Sequence, residues 1–369
     1  MVWEFSLELR RYPMASLTIS GITIDYSELE LNLERLPRNE QWQDEVYEFL
    51  ESWFNDSKTI AVPTSGSTGK PKMIELYKED VKRSAHYTLR SLNLEQDMKA
   101  LICLPLSYIA GKLMLVRCLE GQLDCHIIRP SANPLQNISH RIDFTAITPY
   151  QLHHTLAIST ERTKLSSISN VLVGGSGVNF ADREVVSKFQ NNTFLTYGMT
   201  ETITHIALQR LSKGREEGSF KLIDPAFAIS TDENGILMIH SPYNHMPLVV
   251  TNDIVELTSK NSFEFLGRSD LVINSGGVKI HPEQVEKKLE KLLDQKYLIG
   301  SLSHPSLGEQ VILMIEGEEP KKRLKEQLKQ NILKVLKPYE RPKRIHYLES
   351  FTYTKTGKVD RTKTLTELK

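Results

Sequence analysis

Between residue 59 and about residue 200, short apolar runs alternate with stretches whose apolar residues recur at helical spacing. TIAVP (59–63), ALICLP (100–105), CHIIRP (125–130), FTAIT (144–148), VLVGG (171–175) and TFLTY (193–197) are too short for helices and read as buried strands. KEDVKRSAHYTLRSL (78–92) and NFADREVVSKFQ (179–190) read as amphipathic helices between them. Strands that alternate with helices imply an α/β fold, with a mostly parallel sheet covered by helices on both faces. Ligands of such sheets sit beyond the carboxyl ends of the strands. The loop at 64–72, GGSG (174–177) and YGMTET (197–202) are expected there.

After about residue 235 the texture changes. GILMIHS, PLVVTNDIVEL and SFEFLG read as strands of a smaller, more antiparallel sheet. Past GRSD (267–270), HPEQVEKKLEKLL carries Val285, Leu289 and Leu292 one turn apart. KKRLKEQLKQNILKVL repeats this with Leu324, Leu328, Ile332 and Leu336. With LIGSLS, VILMIEG and RIHYLES around these helices, the last ~100 residues suffice for a small α+β domain. The expected division is 1–269 and 270–369, with the boundary at Asp270. Before residue 59, IDYSELELNLERLP suggests a strand and turn, and WQDEVYEFLESWF an amphipathic helix.

One loop concentrates small polar groups and cations. PTSGSTGKPKMIEL (63–76) is not a Walker loop: Thr64 stands where the first glycine belongs, and Pro71 replaces the hydroxyl after Gly69-Lys70. Pro71 also biases Lys70 away from helical dihedrals. What remains is a loop of backbone donors, hydroxyls and lysines able to grip a polyphosphate, or a solvated turn. Lys+Arg and Asp+Glu both number 46, so no global basic field points to nucleic acid, and any attraction for phosphate is local. Cys103, Cys118 and Cys125 lack metal-ligand spacing and read as reduced, buried thiols of a cytoplasmic protein. No apolar run approaches the ~20 residues of a membrane span, and the first residues do not resemble a signal peptide.

TSGSTGKPK, YGMTET, TND, GRSDLVINSGG and TKTGKVDR occur in the order found in the adenylate-forming superfamily of acyl-CoA synthetases, peptide-synthetase adenylation domains and luciferases. The chain resembles that superfamily from about residue 60 onward. The resemblance implies a large N-terminal domain and a small mobile C-terminal one. It also implies ATP-dependent activation of a carboxylic acid to an acyl-adenylate, then transfer to a thiol such as CoA. Thr64, Ser65, Gly66, Ser67, Thr68 and Gly69, with Lys70 and Lys72, match the triphosphate loop. Gly174, Gly175, Ser176 and Gly177 match the small-residue loop beside adenine. Tyr197, followed by Gly198 and Met199, matches the aromatic on adenine, Thr200 a hydroxyl facing phosphate, and Glu201 the Mg²⁺ carboxylate. Asp253 and Arg268 match the ribose-contacting pair, with Asn252 standing where the family has glycine. Asp270 matches the hinge. Ser275, Gly276, Gly277 and Lys279 match the loop that meets the CoA arm. Lys358 matches the lysine at the reacting carboxylate, although Thr352 stands where the family has proline.

LPLSYIAGKLMLVR (104–117) departs from the family by carrying Tyr108 where many members have histidine. Lys112 and Arg117 fall where the acyl pocket belongs. A cation there requires an anionic partner or an exit to solvent. If either faces inward, the substrate is a dicarboxylic acid. On this point and on its compact length, the chain resembles the o-succinylbenzoate–CoA ligases of menaquinone biosynthesis. Another aromatic or medium-chain acid–CoA ligase, an enzyme loading a carrier protein, and a non-catalytic adenylate binder are the alternatives. Oligomeric state is not readable from the sequence.

Overall fold

A computed structural model describes residues 15–63, 73–214, 218–353 and 359–368. The expected triphosphate loop (Thr64, Ser65, Gly66, Ser67, Thr68, Gly69, Lys70 and Lys72) and Lys358 lie outside the described residues. The described chain divides into two compact units. The first holds residues 15–63, 73–174 and 190–193, and the second the remainder. The proposed domain 270–369 falls wholly within the second unit.

The first unit begins with β1 (Ser16–Ile19), β2 (Ile22–Asp25), α1 (Tyr26–Leu29) and α2 (Gln41–Phe54). It continues with β3 (Thr59–Pro63), β4 (Met73–Tyr77), α3 (Lys78–Ser91), β5 (Lys99–Ile102), α4 (Ile109–Gly121) and β6 (Asp124–Ile127). β7 (Phe144–Ile147), α5 (Pro149–Ala157), α6 (Ser159–Ser167) and β8 (Asn170–Val173) follow. Its main sheet runs β8-β7-β5-β6-β1-β2 and is parallel except for the edge strand β2. All four residues of β8 are buried, and Ala100, Leu101 and Ile102 of β5 have no exposed surface. Burial on both faces is why these strands read as continuous apolar runs.

One expectation needs correction here. TIAVP is a strand, yet it pairs antiparallel with β4 in a separate two-stranded sheet. Its alternating burial already marks one buried face, not two. The N-terminal segment, read as a strand, a turn and the amphipathic helix that α2 forms, also supplies β1 as a parallel neighbour of β6.

The second unit contains α7 (Phe180–Ser187), β9 (Asn192–Gly198) from Phe194 onward, β10 (His205–Arg210), β11 (Phe220–Leu222), β12 (Ala228–Thr231), β13 (Ile236–His240), β14 (Leu248–Ser259) and β15 (Ser262–Arg268). These strands lie in the order β12-β13-β14-β15-β11-β10-β9, every described pair antiparallel. TFLTY therefore pairs antiparallel with its successor, against expectation. The link from Gly198 to His205 is too short for a parallel crossover.

A second sheet follows: β16 (Ile273–Ser275), β17 (Val278–Ile280), α8 (Pro282–Leu289), β18 (Tyr297–His304), β19 (Gly308–Glu316), α9 (Lys322–Val335), β20 (Arg344–Leu348) and α10 (Arg361–Thr366). Its order is β17-β16-β19-β18, with β20 parallel to β19. Strand alternation sends Ile299, Val311, Leu313 and Ile315 against Val285, Leu289, Ile332 and Leu336 of the α8 and α9 side. Leu298, Ile312 and Met314 face Phe351 and Leu365 on the other. Of the expected α9 stripe, Ile332 and Leu336 are buried while Leu324 is exposed. Among the described residues, no helix is long and apolar enough to cross a membrane.

Candidate active site

Asp253 and Arg268 are cross-strand partners in the β14–β15 register, so fifteen residues of separation become a side-by-side pair. Arg268 Nη1 lies 3.7 Å from Asp253 Oδ1. The Tyr197 hydroxyl, at the end of β9, donates to Asp253 Oδ2 at 2.6 Å. Thr251 fixes the backbone beneath: its Oγ1 accepts from Asp253 N at 3.0 Å and donates to Leu237 O at 2.9 Å. Burial pushes the Asp253 carboxyl above its usual range, opposed by the Tyr197 hydrogen bond and the Arg268 charge. Tyr197 is held far above the ordinary phenol range, first by burial and then by the neighbouring carboxylate. The structure thus brings Tyr197, Asp253 and Arg268 together, and Asp270 joins them through two hydrogen bonds from Arg268, each 2.9 Å.

The ring of Tyr197 is packed edge-on against Phe263, centroids 4.9 Å apart, with Phe220 at 5.5 Å. This cluster anchors the strand end from which Gly198, Met199, Thr200 and Glu201 emerge. Gly198 permits a tight turn, because a Cβ there would stand 2.3 Å from Thr204 O. Thr202 Oγ1 accepts from Met199 N at 3.0 Å, closing a 3₁₀ turn over Thr200–Thr202. Ile203, β-branched and buried, is held at φ 65° immediately after it. Such a conformation is strained and persists only where the surroundings over-determine it. The turn leaves Thr200 half-buried and the Glu201 carboxylate in solvent. One carboxylate, completed by substrate phosphate oxygens and water, is an ordinary Mg²⁺ environment, so these residues fit that ion.

Gly175, Ser176 and Gly177 lie exposed in the second unit, and Gly175 has φ 100°. Gly174 belongs to the first unit, its N–H donating to Ile147 O at 3.0 Å. Gly276 and Gly277, both at positive φ, form the two-residue turn between β16 and β17, with Ser275 paired to Val278 and Lys279 exposed.

In the first unit, the chain order reverses around β5, with β6 on one side and β7 on the other. A strand-order reversal of this kind is where α/β sheets open a ligand crevice. LPLSYIAGK begins just past the carboxyl end of β5, and Tyr108, 39% exposed, caps α4. Lys112 is half-buried, with Nζ 4.8 Å from the Phe49 ring centroid. Burial lowers its pKa, while Glu45 and Glu48 of α2 raise it. Arg117 is 2% exposed on the same helix.

Sequence reasoning missed Thr251 and Ile203. Thr251 had a signal, since a hydroxyl two residues before a carboxylate is a common backbone-capping arrangement. Ile203 had none.

The sequence profile of the AMP-binding enzyme family matches residues 18–242. A 2-succinylbenzoate–CoA ligase of Listeria monocytogenes is 26% identical, over 93% of this chain and 75% of its own. One from Geobacillus is 25% identical, over 83% and 68%. The crystal structure of an acyl-CoA synthetase (AMP-forming)/AMP-acid ligase II-like protein from Dyadobacter fermentans aligns with TM-score 0.62 and 33% identity, covering 92% of this chain and 98% of that one. The o-succinylbenzoate CoA synthetase of Bacillus subtilis, solved with its acyl-adenylate intermediate, shares the fold with TM-score 0.70 at 20% identity, covering 82% and 68%.

Proposed function

Because the chain belongs to the AMP-binding enzyme family, we propose that it joins a carboxylic acid to CoA at the expense of ATP, with o-succinylbenzoate as the acid. The carboxylate oxygen attacks the α-phosphorus and pyrophosphate leaves. The CoA sulfur then attacks the acyl carbon and AMP leaves. The observation that carries this reading is the Tyr197–Asp253–Arg268 cluster, a carboxylate and a guanidinium side by side at paired positions of β14 and β15. Such a pair accepts from and donates to the vicinal hydroxyls of a ribose. Supporting the choice of acid are the relatives named 2-succinylbenzoate–CoA ligase and a guanidinium buried on α4.

In this reading, Thr64 to Gly69 with Lys70 and Lys72 hold the triphosphate, and Gly174 to Gly177 with Met199 border the adenine. Thr200 faces phosphate and Glu201 holds Mg²⁺. A bound Mg²⁺ supplies charge neutralisation for the pyrophosphate leaving group. Lys358 bridges the two anions that must meet. Tyr108 and Arg117 border the acid. Asp270 is the hinge, and the Ser275–Gly276–Gly277 turn with Lys279 serves the CoA side. No general base is needed, since a carboxylic acid is already ionised near neutral pH.

The test is pyrophosphate release across mono- and dicarboxylic acids, with and without CoA. Release with o-succinylbenzoate, and CoA thioester formed from it, is the expected outcome. Turnover of another acid, with none of o-succinylbenzoate, refutes the choice of acid. Acyl transfer to a carrier protein in place of CoA refutes the choice of thiol.

A further inference from the structure

We propose that Tyr197 is a positioning residue that acts through its hydroxyl, holding the Asp253 carboxylate in one orientation so that Oδ1 stays available to the nucleotide sugar. This rests on the ATP reading above and assigns Tyr197 a role separate from any contact of its ring with adenine.

The geometry divides the carboxylate between two neighbours. Oδ2 is taken by the Tyr197 hydroxyl at 2.6 Å, while Oδ1 faces Arg268 at 3.7 Å, too far for a hydrogen bond. Tyr197 cannot swing away, because its ring is wedged against Phe220 and Phe263 and the residue is 9% exposed. A donor on a rigid ring thus sets the carboxylate plane, and Thr251 sets the backbone beneath it. A hydrogen bond to an ionised acceptor is short and orienting. It also favours the charged form of a carboxyl that burial pushes upward. The charged or titratable groups facing Asp253 are Tyr197 from β9, Arg268 from β15, and Asp270 from the turn that follows.

The experiment is calorimetric binding of ATP and of 2′,3′-dideoxy-ATP to the full chain, its Tyr197→Phe and Asp253→Asn variants, and the double variant. Wild type is expected to prefer ATP. Tyr197→Phe keeps the ring, and is expected to weaken ATP by about 10- to 100-fold while leaving the dideoxy nucleotide nearly unchanged. The double variant is expected to match Asp253→Asn, which shows that the two act as one unit. With the hydroxyl gone, the acid limb of ATP affinity should move to higher pH, because the support for the ionised carboxylate is lost. If Tyr197→Phe weakens both nucleotides equally, or leaves the acid limb in place, Tyr197 is only a packing residue and the inference fails. A wild type that binds neither nucleotide overturns the ATP reading, and this inference with it.

Discussion

Arg268 grips Asp270 with two parallel hydrogen bonds, Nε to Oδ1 and Nη2 to Oδ2, both 2.9 Å. The Arg268 bond is the largest influence holding the Asp270 carboxyl below its usual range. Its contribution to stability is therefore present above the ordinary carboxylate pKa of ~3.9, and is lost as pH falls through the lower folded value. With side chains 34% and 42% exposed, the pair contributes no more than about 1 kcal/mol. Asp270→Ala should barely change the melting temperature at pH 7, yet alter the ratio of adenylation to thioester formation if this turn is the hinge. A large drop in stability with an unaltered ratio would make the pair structural only.

Asp253 has the opposite sign. Its folded pKa is raised, so ionisation near neutral pH costs stability, and that cost disappears as pH falls through the folded value. Asp253→Asn is thus expected to melt at the same temperature as wild type or slightly above it at pH 7, while binding ATP poorly. A residue that strains the fold for the sake of a ligand behaves this way. Thermal denaturation between pH 4 and 8 checks it, and a strongly destabilised variant at neutral pH would contradict it.

The two cations of α4 should separate. Lys112 is half-buried and already accommodated by the Phe49 ring and the charges of Glu45 and Glu48, so Lys112→Met is expected to leave kcat/KM within about threefold, this cation having its partners on α2 before any acid binds. Arg117 is buried. Arg117→Lys keeps the charge but loses the planar fork, and Arg117→Ala strands any anion bound there at ~3–5 kcal/mol. Steady-state kinetics on o-succinylbenzoate and on a monocarboxylic analogue give the answer. Equal losses on both acids would assign Arg117 to the core.

Much of this architecture was legible because period and burial agree. The helices α3, α8 and α9 follow their apolar spacing, and the parallel strands β5, β7 and β8 carry short apolar runs because they are covered on both faces. β3 and β9 were harder, since a five-residue apolar run does not state its partner. The pairing of Asp253 with Arg268 depends on two register shifts within β14–β15, which no local pattern records. It was found through motif order alone. The Tyr197 hydroxyl bond was not legible at all, because an aromatic closing a strand reads equally as core or as a ligand platform.

Glu201 projects into solvent from a turn fixed by Thr202 and by the strained Ile203. Its expected work is to hold Mg²⁺ and not to move protons. Glu201→Gln removes the charge and keeps the shape, so the Mg²⁺ concentration for half-maximal rate should rise about tenfold or more. The pH profile should not move. A shifted profile with an unchanged Mg²⁺ requirement would make Glu201 an acid–base group.

Lys358 tests the two-step mechanism as a whole. In adenylation a carboxylate and an α-phosphate, both anions, must approach to bonding distance. An ammonium between them stabilises the crowded charge, and losing one such donor typically costs ~10²–10³ in rate. In the second step a thiol attacks an acyl-adenylate, and the group expelled is AMP, so the same ammonium is not required. The described residues on either side of Lys358 are pinned: Tyr353 bridges Val359, and Asp360 N donates to Thr352 O at 2.8 Å. Just beyond, Arg361 is salt-bridged to Glu286 of α8. Any rotation about Asp270 would therefore carry these flanks with the second sheet as one body, exchanging the lysine for the Gly276–Gly277 turn. Lys358→Ala should abolish pyrophosphate release yet still convert supplied acyl-adenylate and CoA to thioester and AMP. Quenched-flow measurement of each half-reaction distinguishes the cases. If both halves fall equally, Lys358 serves one unchanging site and the alternation of domains is wrong for this protein.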